Sequence, residues 1–292
     1  MGSTRSSATR SSRTSPKDLS GDTPHVSVNT AAILRAASIT GVMGGATDRA
    51  PLLLAALCDS EISAAAVAAL IGQDPALSLR VLRVANSAYY GQSRSIGSID
   101  RALSLLGLDS VRGIAAAACL DRVLIVGAST AAADLKGMMH HSRAAATAAE
   151  ALARIRHRAR TADAFITGLL HDVGTVVQLH LDVAAPPEFI CHEECGAVIF
   201  AAWNLPEPLI VATRYHHRPL EAPPIHRDLA ALVHLGASLA LAGGYTFVLE
   251  PTSTPLDPAA IAQLGLEDDE IAAVAAALPE RVAALDHALH GA

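Results

Sequence analysis

Aromatic side chains are scarce: one Trp, four Tyr and four Phe make up 3% of the 292 residues, although 51% of the chain is hydrophobic. The apolar content is therefore mostly Ala, Leu and Val. Ala and Leu are strong helix formers, so the composition points to an all-α fold, and abundant Ala would let helices approach closely. Excess positive charge is also missing. The formal net charge is −6, which argues against a chain that binds nucleic acid over its whole surface. Cysteine is sparse. Cys58 and Cys119 sit in apolar helical contexts and read as small core residues, and Cys191 and Cys195 are four apart, which is not a strong zinc spacing. The N-terminus has no apolar run of the signal-peptide kind, and the most apolar stretch, 114–133, is interrupted by Asp121 and Arg122. No membrane span is expected, and a reducing cytoplasm fits. There is no P-loop, no GxGxxG and no Gly-x-Ser-x-Gly elbow.

Residues 1–28 are rich in Ser, Thr and Arg, with Leu19 almost the only large apolar residue before position 25. They bury too little to offset ordering entropy and read as a disordered basic arm. Helices are expected over 30–43, 50–58, 64–71, 76–85, 98–106 and from a cap at Asp109 through Leu120, with Gly72 and Gly107 as stops and Pro75 as a start. A helix is expected to open at His141-Ser142 and run through Ala153. Residues 243–257 form a Pro-punctuated loop, followed by helices over 258–264 and 267–289, the second expected to break or kink at Pro279. Its apolar positions Ile271, Val274, Leu278, Val282, Leu285 and Leu289 recur at spacings of three and four. That stripe packs on the domain or forms a dimer interface. Eight acidic residues stand against one Arg over 250–292, which reads as a solvated face.

Two ordered sets of residues carry more. The first is Asp74-Pro75-Ala76-Leu77, then Leu82-Arg83-Val84-Ala85-Asn86-Ser87-Ala88-Tyr89-Tyr90-Gly91, then Ile96-Gly97-Ser98-Ile99-Asp100-Arg101-Ala102, then Leu105-Leu106-Gly107. The second is His141-Ser142, Gly168-Leu169-Leu170-His171-Asp172-Val173-Gly174, Gly196, Trp203-Asn204-Leu205-Pro206 and Tyr215-His216-His217-Arg218-Pro219. Together they closely resemble the HDOD family, the HD-related output domain, over about residues 45–242. The resemblance implies a compact all-α domain over 29–242, with an N-terminal helical half (about 45–125) and an HD-like half (about 135–242), and with 243–292 as helices packing on it. It also implies a bacterial-type signalling or regulatory module that acts through protein–protein contacts, more often without catalytic turnover. The other reading is a metal-dependent phosphohydrolase or cyclic-nucleotide phosphodiesterase.

The same resemblance implies a ligand set for a divalent metal (Mn, Fe, Mg or Zn): His141, His171, Asp172, His192, His216 and His217. Neutral imidazoles and a carboxylate can hold such an ion while leaving room for a water that attacks phosphorus. One position departs from the pattern. Active relatives carry an Asp where this chain has Ala237 in His234-Leu235-Gly236-Ala237-Ser238, and Asp228 lies nine positions upstream. Thr175 replaces a frequent Lys, and Arg218-Pro219 stands where a Gly-Tyr-Pro motif would be.

The residues also support plainer roles. His171 and Asp172 would tie helices in a buried polar network, with His141 as a partner. His192 would lie at the surface, and His216-His217 would cap a helix C-terminus. Arg218 could hold a phosphate of a nucleotide. Asn86, Tyr89 and Tyr90 form either a structural turn or a partner-contact surface. Partners expected are other signalling proteins, a second copy through the C-terminal helices, or a nucleotide. Membrane and nucleic acid are not expected.

Overall fold

Short polar residues and prolines start the helices. The computed structural model describes residues 30–39, 50–87, 90, 95–125, 132–157, 160–181, 191–247 and 255–290. The basic arm, Tyr89 and the Gly91–Arg94 segment lie outside the described residues. Helix α1 spans Thr30–Ile39 and α2 Ala50–Cys58. Ser63 caps α3 (Ala64–Gly72) through Ala66 N, and Asp74 Oδ1 accepts from Ala76 N and Leu77 N, both at 3.0 Å, to open α4 (Pro75–Ala85). Ser98 caps α5 (Ile99–Leu106) by accepting from Arg101 N at 3.2 Å. These hydroxyls and carboxylates satisfy first-turn N–H groups that have no partner within the helix.

Three boundaries differ from expectation. Helix α6 (Leu108–Ile125) begins one residue before Asp109, which lies in its first turn instead of capping it. Helix α7 (Ala132–Arg156) starts well before His141, so that histidine sits mid-helix, because the run from Ala132 is too rich in helix formers to stop short. Helix α14 (Asp268–His290) continues through Pro279. Only one helical N–H is lost there, and Leu278 and Val282 on either side are buried and hold the helix together.

The remaining helices are α8 (Thr161–Leu170), α9 (Val173–Leu181), α10 (His192–Ala202), α11 (Glu207–Tyr215), α12 (Arg227–Ala242) and α13 (Pro258–Leu264), with 3-10 turns at Pro219–Glu221 and Pro224–His226. The described residues contain helices and no strands. No single helix among them is long and apolar enough to cross a membrane.

Helix α7 is the axis, flanked by α8, α12 and α14. Its inner face is Ala144, Ala145, Ala146, Ala148 and Ala149, all fully buried. A Cβ on Gly236 of α12 would lie 2.6 Å from Ala145 O, and one on Gly168 of α8 would lie 2.9 Å from Ala146 Cα. The helices therefore cross backbone to backbone, and the scarcity of aromatics follows from that spacing. The N-terminal half stacks α2 and α4 on α6, and α6 on α8. Buried Arg112 of α6 stitches this junction: its Nε donates to Leu57 O at 2.7 Å, and its other nitrogens lie 3.5 Å from Asp109 and 4.0 Å from Asp163 of α8. The apolar stripe of α14 turns inward, burying Ile271, Leu278, Val282, Leu285 and Leu289 as the helix packs on α7 and α4.

Candidate metal centre

Four helices and the α8–α9 link deliver the six residues singled out by sequence. His141 comes from the middle of α7 and His171 from the C-terminal end of α8. Asp172 follows in the tight link to α9, His192 opens α10, and His216-His217 follow α11. Two glycines allow the approach. A Cβ on Gly174 would stand 1.9 Å from His192 O and 2.4 Å from Gly196 N, so α9 and α10 meet with no room for a side chain. A Cβ on Gly196 would be 2.9 Å from Thr213 Cγ2. The Gly closing the His-Asp segment and the Gly four residues after His192 are thus what bring His192 onto Asp172.

Asp172 is the hub and is completely buried, as are His141, His171 and His216. Its Oδ2 lies 3.0 Å from His171 Nε2 and 3.6 Å from His141 Nε2. Its Oδ1 lies 3.4 Å from His192 Nε2 and 3.9 Å from His216 Nε2. The carboxylate therefore separates two groups: His141, His171 and Asp172 on one side, and His192, His216 and His217 on the other. In the second group His192 Nε2 is 3.2 Å from His216 Nε2 and 3.1 Å from His217 Nε2.

The far sides of the rings decide which nitrogen faces inward. His141 Nδ1 donates to Tyr245 O at 2.8 Å, His171 Nδ1 to Gly168 O at 2.7 Å, and His216 Nδ1 to Thr213 O at 2.7 Å. A carbonyl can only accept, so each Nδ1 carries the hydrogen, and in a neutral ring the inward Nε2 is a lone pair. Burial holds the His141, His216 and His217 imidazoles below their ordinary range, His217 at about 4, with neighbouring histidines adding to the effect at His216 and His217. Burial alone would raise the Asp172 carboxyl, but His171 beside it, with His192 and His141, holds it well below the usual carboxylate range. The centre is thus a ring of acceptors. His141 Nε2 and both Asp172 oxygens receive no well-directed hydrogen bond. A proton shared between His171 and Asp172 relieves one of these contacts. A cation relieves all of them.

The donor set fits a divalent metal. Nitrogens about 2.1 Å from one ion stand a little over 3 Å apart, and His192 Nε2 stands at that spacing from both His216 Nε2 and His217 Nε2. Carbonyls that fix the imidazole tautomer from behind are the usual outer support of such ligands.

The other singled-out residues lie elsewhere. Ala237 is buried on α12 and brings no ligand atom. Asp228 accepts from Gln263 Nε2 at 2.8 Å and lies 3.7 Å from His157 Nδ1, so it is engaged with the α13 side. Arg218 is half-exposed and reaches Glu221 at 3.7 Å. Asn86 closes a turn: its Nδ2 donates to Leu82 O at 2.7 Å and Ile96 O at 2.9 Å, and its Oδ1 accepts from Ile96 N at 2.7 Å. Tyr90 packs half-buried against the core. His192 is less exposed than a surface residue, with 15% of its side chain accessible. His216 does cap the end of α11, but as a ring that burial keeps neutral.

Sequence reading missed the supporting groups. His234 Nδ1 donates to His216 O at 2.8 Å, and the Arg214–Glu194 pair, at 2.8 and 2.9 Å, ties α11 to α10 beneath the histidines. The carbonyls of Gly168, Thr213 and Tyr245 leave no side-chain signal.

Comparison with known proteins agrees with this architecture. The HDOD domain model matches residues 47–190 and the HD domain model matches residues 138–250. An uncharacterized protein of Treponema pallidum (strain Nichols) is 28% identical over 199 residues, which are 61% of this chain and 38% of that protein, so the match spans well under half of the relative's length. An HDOD domain protein of unknown function from Geobacter sulfurreducens superposes with a TM-score of 0.64 at 22% identity, covering 88% of this chain and 98% of that one. A candidate phosphohydrolase from Shewanella amazonensis SB2B gives 0.64 at 20% identity, covering 89% and 99%. At these identities the two structures speak for the fold alone. The two matched models and the placing of the His and Asp motifs on one hub agree: residues 47–190 form an HDOD domain, which the HD domain match over 138–250 overlaps and extends.

Proposed function

We propose that this chain is a regulatory module of bacterial signalling, working in the cytoplasm through contacts with other proteins, and that its His/Asp centre holds a divalent ion without turning over substrate. One observation carries the reading: imidazoles from four helices converge on a fully buried Asp172, while Ala237 leaves the set with a single carboxylate. The ion would be held by His141, His171 and Asp172, or by His192, His216 and His217, with Asp172 serving both groups. Two divalent ions around one carboxylate would repel strongly in so buried a place, so one ion per chain is expected. In the first group that ion would tie α7 to α8, and in the second α10 to α11, with Asp172 joining it to the α8–α9 link.

Metal analysis of the purified chain tests this directly, with an expected content near one ion that Asp172→Ala abolishes. A panel of phosphodiesters and phosphomonoesters assayed with added Mn²⁺ or Fe²⁺ should stay intact. Turnover lost in Asp172→Ala would overturn the non-catalytic reading.

The second reading is a phosphohydrolase acting on a nucleotide or cyclic dinucleotide. It is favoured by the half-buried edge at His192 and His217, where a ligand could reach the centre. There an ion would supply charge to a phosphate and a nucleophile from water.

A further inference from the structure

The C-terminal helix grips the turn of α7 that carries His141. Asp286 of α14 places Oδ2 3.0 Å from His140 Nε2, and its Oδ1 contacts Arg143 Nε. These two residues, three apart, flank the metal-facing histidine. The Tyr245 ring stands edge-on to His140 with centroids 4.8 Å apart, while its carbonyl accepts from His141 Nδ1 at 2.8 Å. The Phe247 ring lies 5.5 Å from the His141 ring. His141 is thus held from behind by the 245–247 segment, and its helical turn is held by Asp286.

The seam is an antiparallel charge ladder. Glu270 meets Arg156 at 3.1 Å, Arg281 meets Glu150 at 3.3 Å, and Asp286 meets Arg143 and His140. Signs alternate along both helices, so the ladder fixes the register of α14 on α7. The outer pair is largely exposed and contributes little. The inner one is not: the Arg143 side chain is 11% accessible. Helix α14 lies beyond both matched domain models, which end at residues 190 and 250.

We propose that Asp286 is a positioning residue for the metal ligand His141, so that docking of α14 and ion occupancy of the centre are coupled. The proposal rests on the metal-holding reading above. By linkage, a loaded centre holds α14 on α7, and whatever lifts α14 weakens the ion. A displaced outer support costs an ion site about tenfold or more in affinity.

The test is Co²⁺ titration of the full chain, read by its visible absorption, for wild type, D286N, D286E, H141A and the H141A/D286N double variant. D286N keeps the volume and removes the charge, and circular dichroism checks the fold. The expected result is about a tenfold loss in D286N, substantial rescue in D286E and no further loss when D286N is added to H141A. Hydrogen exchange of α14 should slow on adding Co²⁺ in wild type and not in D286N. Unchanged affinity in D286N, or the same loss with and without His141, overturns the proposal and leaves the metal reading standing. A wild type that takes up no Co²⁺ overturns both.

Discussion

The two halves of the molecule are stabilised differently. In the N-terminal half, α2 to α6 bury Leu54, Leu57, Ile71, Val81 and Ile114, and the buried charge is concentrated in Arg112, which donates to a carbonyl and faces two carboxylates. In the HD-like half the deepest layer is polar: His141, His171, Asp172 and His216 are all closed off from solvent. The first half depends on excluded water and close packing. The second spends part of that stability on holding imidazoles, those of His141 and His216 kept from protonation by burial, face to face with a carboxylate. This contrast says where the molecule will respond to ions and acid, and where it will respond only to lost volume.

Gly174→Ala should produce the largest change. The new Cβ would fall 1.9 Å from His192 O, so backbone and not a flexible tip must move. Loss beyond about 4 kcal/mol, in the exceptional range for single substitutions, is expected by chemical denaturation, together with loss of ion binding. A well-folded variant that still binds would show that α9 and α10 do not need this crossing. Ile71→Ala, in the apolar half, should cost about 2–5 kcal/mol yet leave the ion content of the folded protein unchanged. Altered ion content in that variant would erase the contrast between the halves.

Acid should act on the HD-like half. His141, His216 and His217 have folded-state pKa values lowered by burial, so the unfolded chain takes up protons that the folded chain refuses. Their contribution is intact above the unfolded pKa of about 6.5 and is lost as pH falls toward about 4, the value for His217. Asp172, also lowered, extends the loss further into acid. Melting curves of the ion-free chain should therefore fall across this window, and His217→Gln should flatten part of the fall. Adding a carboxylate at the position that lacks one reverses the logic. Ala237→Asp, at a buried site, should lower ion-free stability and enlarge the rise in melting temperature on adding Mn²⁺. The smallest effect is expected for Arg218→Ala, within about 0.5 kcal/mol and with unchanged Mn²⁺ affinity, because its half-exposed guanidinium reaches Glu221 and, among the described residues, no group of the centre. A large loss of affinity would place Arg218 in the centre after all.

Much of this was legible in one dimension because it is local. Gly72 and Gly107 are stops and Pro75 a start by type and position, and the structure ends α3 and α5 and begins α4 at those residues. The Ala-rich composition points to close helix crossings, and the His and Asp motifs to a shared centre. Two local signals misled. Helix α7 begins nine residues before His141 because helix formers fill that run, and α14 runs through Pro279 because buried Leu278 and Val282 hold it on either side.

By itself the sequence determined the all-α class, the HDOD domain and the residues that meet at the centre, since helix propensity, caps and ordered motifs are written residue by residue. Only the tertiary structure decided that Asp172 turns one oxygen to each histidine group, that backbone carbonyls aim the rings inward, and that α14 grips the His141 turn. Those facts depend on helix crossings set by missing side chains at Gly168, Gly174 and Gly236, and on carbonyls that every residue possesses. Spacing along the chain therefore carries no trace of them.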